Sequence, residues 1–250
     1  MGVYYQSRSI ILKTMDYKEA DKIVSVFSEG AGKISAVARG IKKPKSSLRA
    51  CVQPFCHSLL YYRQGKDMDL ITQGRLIDFY GNTREDISGM LHAVYIMELL
   101  DKALMDRMPL KNLYQHTLQV LDFIDQFGIN PLVIRQYELQ LLVCLGYSPG
   151  LNTCVSCGNP QVSAFDLAQG GIVCSDCLKN SATVHNISAE TLAILRLSLH
   201  AGPVTLSRVK ASASSQQQLE TLLEAYLEYY LERKFNVTRT IKSLKDKMMI

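Results

Sequence analysis

The sequence predicts an α+β protein: a five-stranded β-barrel over residues 1–80, then a helical domain over 81–250 carrying a four-cysteine zinc module at about 151–180. Three observations predict it. Short apolar runs of period two, broken by glycine, fill the first part of the chain. From Thr83 apolar residues recur at helical spacing, and two Cys-x-x-Cys pairs interrupt the helical part. At 250 residues the chain is long enough for a substantial core and for two domains.

In chain order, Ser9 to Lys13 is a short apolar run, and Lys22 to Ser28 alternates, with Val24 and Val26 opposite Ile23, Ser25 and Phe27. Glu29-Gly30-Ala31-Gly32 turns into a third strand that places Ile34, Ala36 and Ala38 on one face and Ser35, Val37 and Arg39 on the other. Ser58 to Tyr62 and Asp69 to Phe79 form a further pair, joined across Gln64-Gly65-Lys66. Five short strands in this length fit the oligonucleotide-binding (OB) fold, a small barrel that binds single strands with a basic groove and aromatic platforms. Tyr61 and Tyr62 are adjacent on one strand and point to opposite faces, so one joins the core and the other is available to stack a base.

The third strand leads into a basic stretch. Gly40 and Pro44 break its pattern, and Lys42, Lys43, Lys45 and Arg49 crowd what reads as a flexible polar loop. No acidic residue occurs between Glu29 and Asp67. The chain carries 28 Lys+Arg against 23 Asp+Glu, yet without the cations of this window the acids would outnumber the bases. Positive charge that is local rather than general is the footprint of a polyanion site. Lys33, Arg39, Lys42, Lys43, Lys45 and Arg49 are therefore the expected nucleic-acid-binding residues.

Helical periodicity begins after Thr83-Arg84-Glu85-Asp86, which reads as a capping box, and continues through Ile87, Leu91, Val94, Tyr95 and Leu99. A second helix is expected from Leu110 to Phe127, ending near Gly128. Asn130 as cap and Pro131 at the first position open a third, which runs to Leu145 before Gly146. Cys144 on that helix reads as a buried small hydrophobe, and His92 and His116 as packing residues. Ser188 caps a helix through Leu199. A longer one is expected from Gln216 to Lys234, after a Ser-rich loop at Ala201 to Ser215.

Cys154-Val-Ser-Cys157 and Cys174-Ser-Asp-Cys177 have the spacing of a structural zinc ribbon. Four sulfurs close the tetrahedron and leave no position for water, which argues against a catalytic metal. Cys51 and Cys56-His57 lack that spacing and a fourth ligand. Two enzyme motifs fail on chemistry. Gly146-Tyr147-Ser148-Pro149-Gly150 has the nucleophile-elbow pattern, but the N–H that should follow the nucleophile is missing at Pro149. Gly30-Ala31-Gly32-Lys33 lacks the first glycine and the Ser or Thr of a phosphate loop, and leads into a strand. No catalytic residue is assigned, and the chain is expected not to be an enzyme. No run approaches the roughly 20 apolar residues of a membrane span, and no apolar run of signal-peptide length opens the sequence, so a cytoplasmic location is expected.

Ile10-Ile11-Leu12, Tyr17-Lys18-Glu19-Ala20-Asp21, Phe27 to Lys33, Ala38-Arg39-Gly40, Lys43-Pro44-Lys45-Ser46, Leu145-Gly146-Tyr147, the four cysteines, and Phe165 with Gly170-Gly171 occur in an order that resembles the RecO family of bacterial recombination mediators. The resemblance spans nearly the whole chain. It implies an OB barrel, a helical domain with an inserted zinc module, and no catalysis. It further implies binding of single- and double-stranded DNA, annealing of complementary strands, a nucleoid-associated location, and work with RecR and the single-stranded-DNA-binding protein to load RecA. It also implies that the helical domain meets the acidic, apolar tail of the single-stranded-DNA-binding protein. Tyr226, Tyr229, Tyr230, Arg233 and Lys234 are the expected contact. The alternative reading is a zinc-ribbon protein that binds RNA or acts in a transcription complex.

Overall fold

A computed structural model of the chain describes residues 3–178, 183–235 and 241; residues 179 and 180 of the expected zinc module and most of the chain beyond 235 lie outside the described residues. Strands β1 (Tyr4–Asp16), β2 (Lys22–Ser28), β3 (Gly32–Ala38), β4 (His57–Arg63) and β5 (Asp69–Asp78) close into a barrel in the order β1-β2-β3-β5-β4. The closing pair, β3 with β5, is parallel, through Ala36–Asp69, Val37–Leu70 and Ala38–Ile71. This is the expected OB barrel. β1 is far longer than the apolar run that announced it, because it pairs with β4 over Tyr4–Ile10 and with β2 over Ser9–Asp16. A register shift between Ile11 and Lys13 bends it from one partner to the other.

The alternation read in β3 holds. Ile34, Ala36 and Ala38 join Ile11, Val24, Val26, Leu60, Tyr62 and Ile71 in the barrel core. The outer face of β2 is also covered, with Phe27 set edge-on against Tyr114 at 5.4 Å between ring centres and Ser25 donating to Asp101. The covering helices are α2 (Ile87–Ala103) and α3 (Lys111–Phe127), preceded by the short α1 (Gly81–Glu85). The cap of α2 is Asp86, whose carboxylate accepts from the Gly89 N–H at 2.6 Å, and not the Thr83 that the capping-box pattern suggests. Thr83 instead donates to Asp125, tying α1 to α3.

The α2–α3 connection is stitched to the barrel. Arg107 donates its backbone N–H to the Lys33 carbonyl at 2.8 Å and its guanidinium to the fully buried Asp69 at 3.0 Å. Asp69 also accepts from the Tyr5 hydroxyl and the Gly65 N–H. Gly32 permits this approach: its φ is +72°, and a Cβ there would lie 2.3 Å from the Met108 carbonyl oxygen. Gly32→Ala is therefore expected to destabilise the protein by at least roughly 2 kcal/mol in chemical denaturation, from the left-handed backbone and the collision together. Gly30→Ala, whose Cβ would meet only Ser7 Oγ at 3.9 Å, is the control and should change little.

By packing the chain divides into two compact units, the one just described, built on Met1–Gly128, and a second of Ile129–Lys234. In the second, α4 (Pro131–Cys144) starts where expected, with Asn130 accepting from the Leu132 and Val133 N–H groups. α5 (Ala189–Ser198) is capped by Ser188, which accepts from the Thr191 N–H. The Ser-rich segment is not a simple loop. It contains the short helix α6 (Pro203–Leu206), and α7 (Ala213–Leu231) already begins at Ala213, because Ser212 caps it by accepting from the Ser215 N–H and also donates to Glu190. Between α4 and α5 lies a three-stranded sheet, β7 (Gly171–Val173), β6 (Ala164–Asp166) and β8 (Val184–Asn186), in that spatial order. Strands of three residues leave no periodic signal in the sequence.

Candidate nucleic-acid interface and cysteine site

The segment from Arg39 to Cys56 is where the basic side chains gather, and it is not the flexible loop its polarity suggests. Ile41, Leu48, Cys51, Val52 and Cys56 are buried in the barrel core and close one end of it. Successive turns lock the backbone between these anchors: Lys43 N–H to Gly40 O, Ser46 N–H to Lys43 O, Arg49 N–H to Ser46 O and Cys51 N–H to Leu48 O. Two further bonds tie it to the β1–β2 turn, Lys42 N–H to Ala20 O and Gly40 N–H to the Asp21 carboxylate. Arg49 spans the turns, donating through one nitrogen to the Lys42 and Lys43 carbonyls at 2.9 and 3.0 Å. The cations are thus presented by a packed scaffold, so little backbone entropy is lost when a ligand meets them.

The six expected residues do not all face the same way. Arg39, Lys42, Lys43, Lys45 and Arg49 are exposed. Lys33 is turned inward, where its ammonium donates to the Asp101 carbonyl and lies 3.5 Å from the Asp101 carboxylate. Burial raises the pKa of Asp101, but the hydrogen bond from Lys13 and the charge of Lys33 outweigh it and hold the carboxyl below its usual range. Lys33 lies on the outer face of β3, as the alternation indicated, but Asp101 near the end of α2 and the α2–α3 connection at Asp106 and Arg107 lie against it. Lys42 pairs with Asp16 at 3.0 Å, a solvent-exposed contact of the kind that exchanges readily for another anion. Lys22, Lys42 and Arg49 converge with Thr14 on a cleft of about 270 Å³ floored by Ile41 and Val52.

In the second unit, backbone pairing brings the two cysteine pairs together. Cys174 follows β7 directly, and Cys177 ends a single 3₁₀ turn. The first pair is held against β7 by Val155 N–H to Ile172 O, and its own turn is closed by Gly158 N–H to Cys154 O, with Gly158 at φ +77°. A parallel bridge between Gly150 and Gly171 completes the frame. A Cβ on Gly171 would stand 2.5 Å from both the Gly150 carbonyl and Val155 Cγ1. Gly150 is thus the second glycine of the apparent nucleophile elbow, in service as a close-packing residue. The turn around Ser148 follows a helix rather than a strand, so no elbow is built there.

The sulfurs of Cys154, Cys157, Cys174 and Cys177 all lie within 4.8 Å of one another, and Cys157 and Cys174 are 3.6 Å apart. A tetrahedral thiolate site with metal–sulfur bonds of about 2.3 Å has edges of about 3.8 Å. The thiols titrate unequally. Backbone hydrogen bonding at Cys174, then at Cys157 and Ser156, draws the Cys154 thiol down to about 6, while hydrogen bonds with Cys157 and Cys174 push the Cys177 thiol up to about 12. Four sulfurs this close cannot all ionise without a cation among them, and with one they form a closed set of soft ligands. These four residues could hold a metal ion. Cys51, Cys56 and His57 are not among the residues so grouped. Cys56 faces the Arg84 guanidinium, and His57 Nε2 is 3.1 Å from the Tyr114 hydroxyl.

The aromatic cluster on α7 is largely internal. Tyr226 is buried and donates to the Tyr147 carbonyl, and Tyr230 donates to the Leu167 carbonyl and packs on Tyr147. Helical spacing places Tyr226 on the buried side, so it is withdrawn from the expected partner surface. Tyr229, Arg233 and Lys234 remain exposed. Of the adjacent barrel tyrosines, Tyr62 is the core residue and Tyr61 the exposed one. Among the described residues no helix is long and apolar enough to cross a membrane.

A family model described as "Recombination protein O N terminal" matches residues 1–80, and one described as "Recombination protein O C terminal" matches residues 84–239. A DNA repair protein RecO from Syntrophomonas wolfei is 52% identical over 98% of this chain and 99% of its own length. Proteins of the same description from Desulforamulus reducens and Acetivibrio thermocellus are 35% and 29% identical, each over 96% of this chain and over 94% and 97% of their own lengths.

Proposed function

This chain belongs to the recombination protein O family, with a role in DNA repair and recombination, and from that premise we propose that it is a strand-annealing mediator that binds both single- and double-stranded DNA. With RecR it would help load RecA onto DNA coated by the single-stranded-DNA-binding protein, in the cytoplasm at the nucleoid. Residues 1–80 would supply the DNA-binding barrel, and 81–250 the helical domain with its metal module. The observation that carries the reading is the exposed set Arg39, Lys42, Lys43, Lys45 and Arg49 on a backbone locked by its own turns. Cations so placed neutralise phosphates without reading bases. Two complementary strands held that way pair by their own chemistry, so no catalytic group and no bound nucleotide enter the proposal.

The four cysteines would hold one structural zinc, which four thiolates in tetrahedral array favour. The metal would support the fold of the second unit. Tyr229, Arg233 and Lys234 would offer the acidic tail of the single-stranded-DNA-binding protein a cationic edge.

The test is annealing of complementary oligonucleotides that are already coated with single-stranded-DNA-binding protein. The expected result is faster duplex formation with the protein than without it, and no requirement for nucleotide. Failure to accelerate annealing, or stronger binding to RNA than to DNA of the same sequence, overturns the reading in favour of an RNA-binding ribbon protein.

A further inference from the structure

The outer face formed by β1, β4 and β5 differs in kind from the basic segment. Its cross-strand pairs are Tyr4 with Arg63, Gln6 with Tyr61, Tyr61 with Gln73, and Leu59 with Arg75. The inward partners alternate with these, Tyr5 stacking on Tyr62 with ring centres 4.9 Å apart. Tyr4 is 67% exposed and Tyr61 37%, which is unusual for aromatic rings set diagonally on one sheet face. Diagonal neighbours across antiparallel strands are about 7–8 Å apart, close to the spacing of two rings with a third plane between them.

A cleft of about 480 Å³ opens here, with Tyr4, Gln6, Tyr61, Thr72 and Gln73 among its walls. A register shift after Tyr61 leaves Thr72 as the extra residue of β5, and its hydroxyl donates to the Tyr61 carbonyl at 3.1 Å. The bulge fixes the strand beside the ring. The chemistry of the face is aromatic, amide and guanidinium. Arg63 and Arg75 are exposed at its ends, and none of these four cross-strand pairs contains a carboxylate; the pair of His57 with Asp78 lies at the opposite end of β4 from Arg63. Asp69, on the same strand, is buried and already held by Tyr5, Gly65 and Arg107.

We infer that this face binds unpaired nucleobases: Tyr61, with Tyr4, stacks the bases of single-stranded DNA while Arg63 and Arg75 hold the flanking phosphates. The inference rests on the DNA-binding reading above and divides the labour within it. The turn-locked cations take phosphates of any strand, and the tyrosine face takes only bases out of the helix, because stacked, paired bases offer no free face to an aromatic ring. Gln6 and Gln73 stand beside the ring as donors and acceptors for base edges that duplex DNA conceals.

The chain contains no tryptophan, so Tyr61→Trp places one indole at the face and nowhere else. With the full-length variant, a thymidine oligonucleotide should quench the indole emission. An equal length of abasic deoxyribose-phosphate, or a blunt duplex, should bind through the basic segment and leave the emission unchanged. In parallel, Tyr61→Ala should weaken single-strand binding by about tenfold and leave duplex binding within about twofold, while Tyr61→Phe keeps the parent affinity. If Tyr61→Ala binds the oligonucleotide like the parent, or the indole responds equally to the abasic strand, the inference is overturned while the DNA-binding reading stands. If neither strand type binds the parent protein, both fall.

Discussion

Cys174→Ser is expected to release the metal and to lower the thermal stability of the unit that carries it, in one step. Cys174 is buried, follows β7 without a break, and shares its sulfur contacts with Cys157 across 3.6 Å. In small zinc modules the apparent binding free energy is on the order of 10 kcal/mol and is largely folding free energy, since no preformed site exists in the unfolded chain. Replacing one thiolate by a hydroxyl leaves three soft ligands and a poor fourth. The three-stranded sheet has only three residues per strand, and although Phe165 packs edge-on against Tyr226, the cysteine side has only a small core of Cys154, Ala164, Val173 and Cys174, so that side would depend most on the metal. Metal analysis of the purified protein should give about one zinc per chain, and the variant should retain much less while melting earlier. Cys144→Ala is the control, because that thiol lies on α4 outside the cluster and should leave metal content unchanged. A parent protein that holds no metal and is no less stable for it would remove the site from the account.

What could be read from the sequence, and what could not, divides by the range of the interaction involved. The core face of β3, the Asn130 and Ser188 caps and the convergence of the four cysteines follow from residues near one another in the chain, and the structure places them as read. The inward turn of Lys33 depends on Asp101, which lies on a helix that no local pattern connects to β3. The packed character of the basic segment was within reach. Ile41, Leu48, Val52 and Phe55 recur through it, and a truly solvated loop has no need of such residues. Polarity at the surface positions masked them. Tyr226 shows the opposite error, since aromatic and charged residues mixed along a helix look exposed until the period decides which side is buried.

Replacing Lys42, Lys43 and Lys45 together by Ala is expected to flatten the salt dependence of single-strand binding by about two units of slope, at roughly −0.7 per phosphate contact. All three are exposed on a backbone whose turns are closed by main-chain bonds and by Arg49, so the variant keeps the fold that presents them. With Lys33 committed to Asp101, the segment retains five cations, and its share of the slope is about −3.5. Between 50 and 200 mM salt that share alone costs about 100-fold in affinity for the parent, and about sevenfold for the variant. Annealing should fall with the binding, whereas metal content and melting temperature should not move. Single replacements should do little, because neighbouring cations on the same scaffold take over a lost contact. Lys33→Ala separates the two kinds of lysine: it removes the ion pair to Asp101 and should lower stability while leaving the salt slope where it was. A triple variant that binds and anneals like the parent would show these lysines to be solvated surface and move the search for the phosphate path elsewhere on the chain.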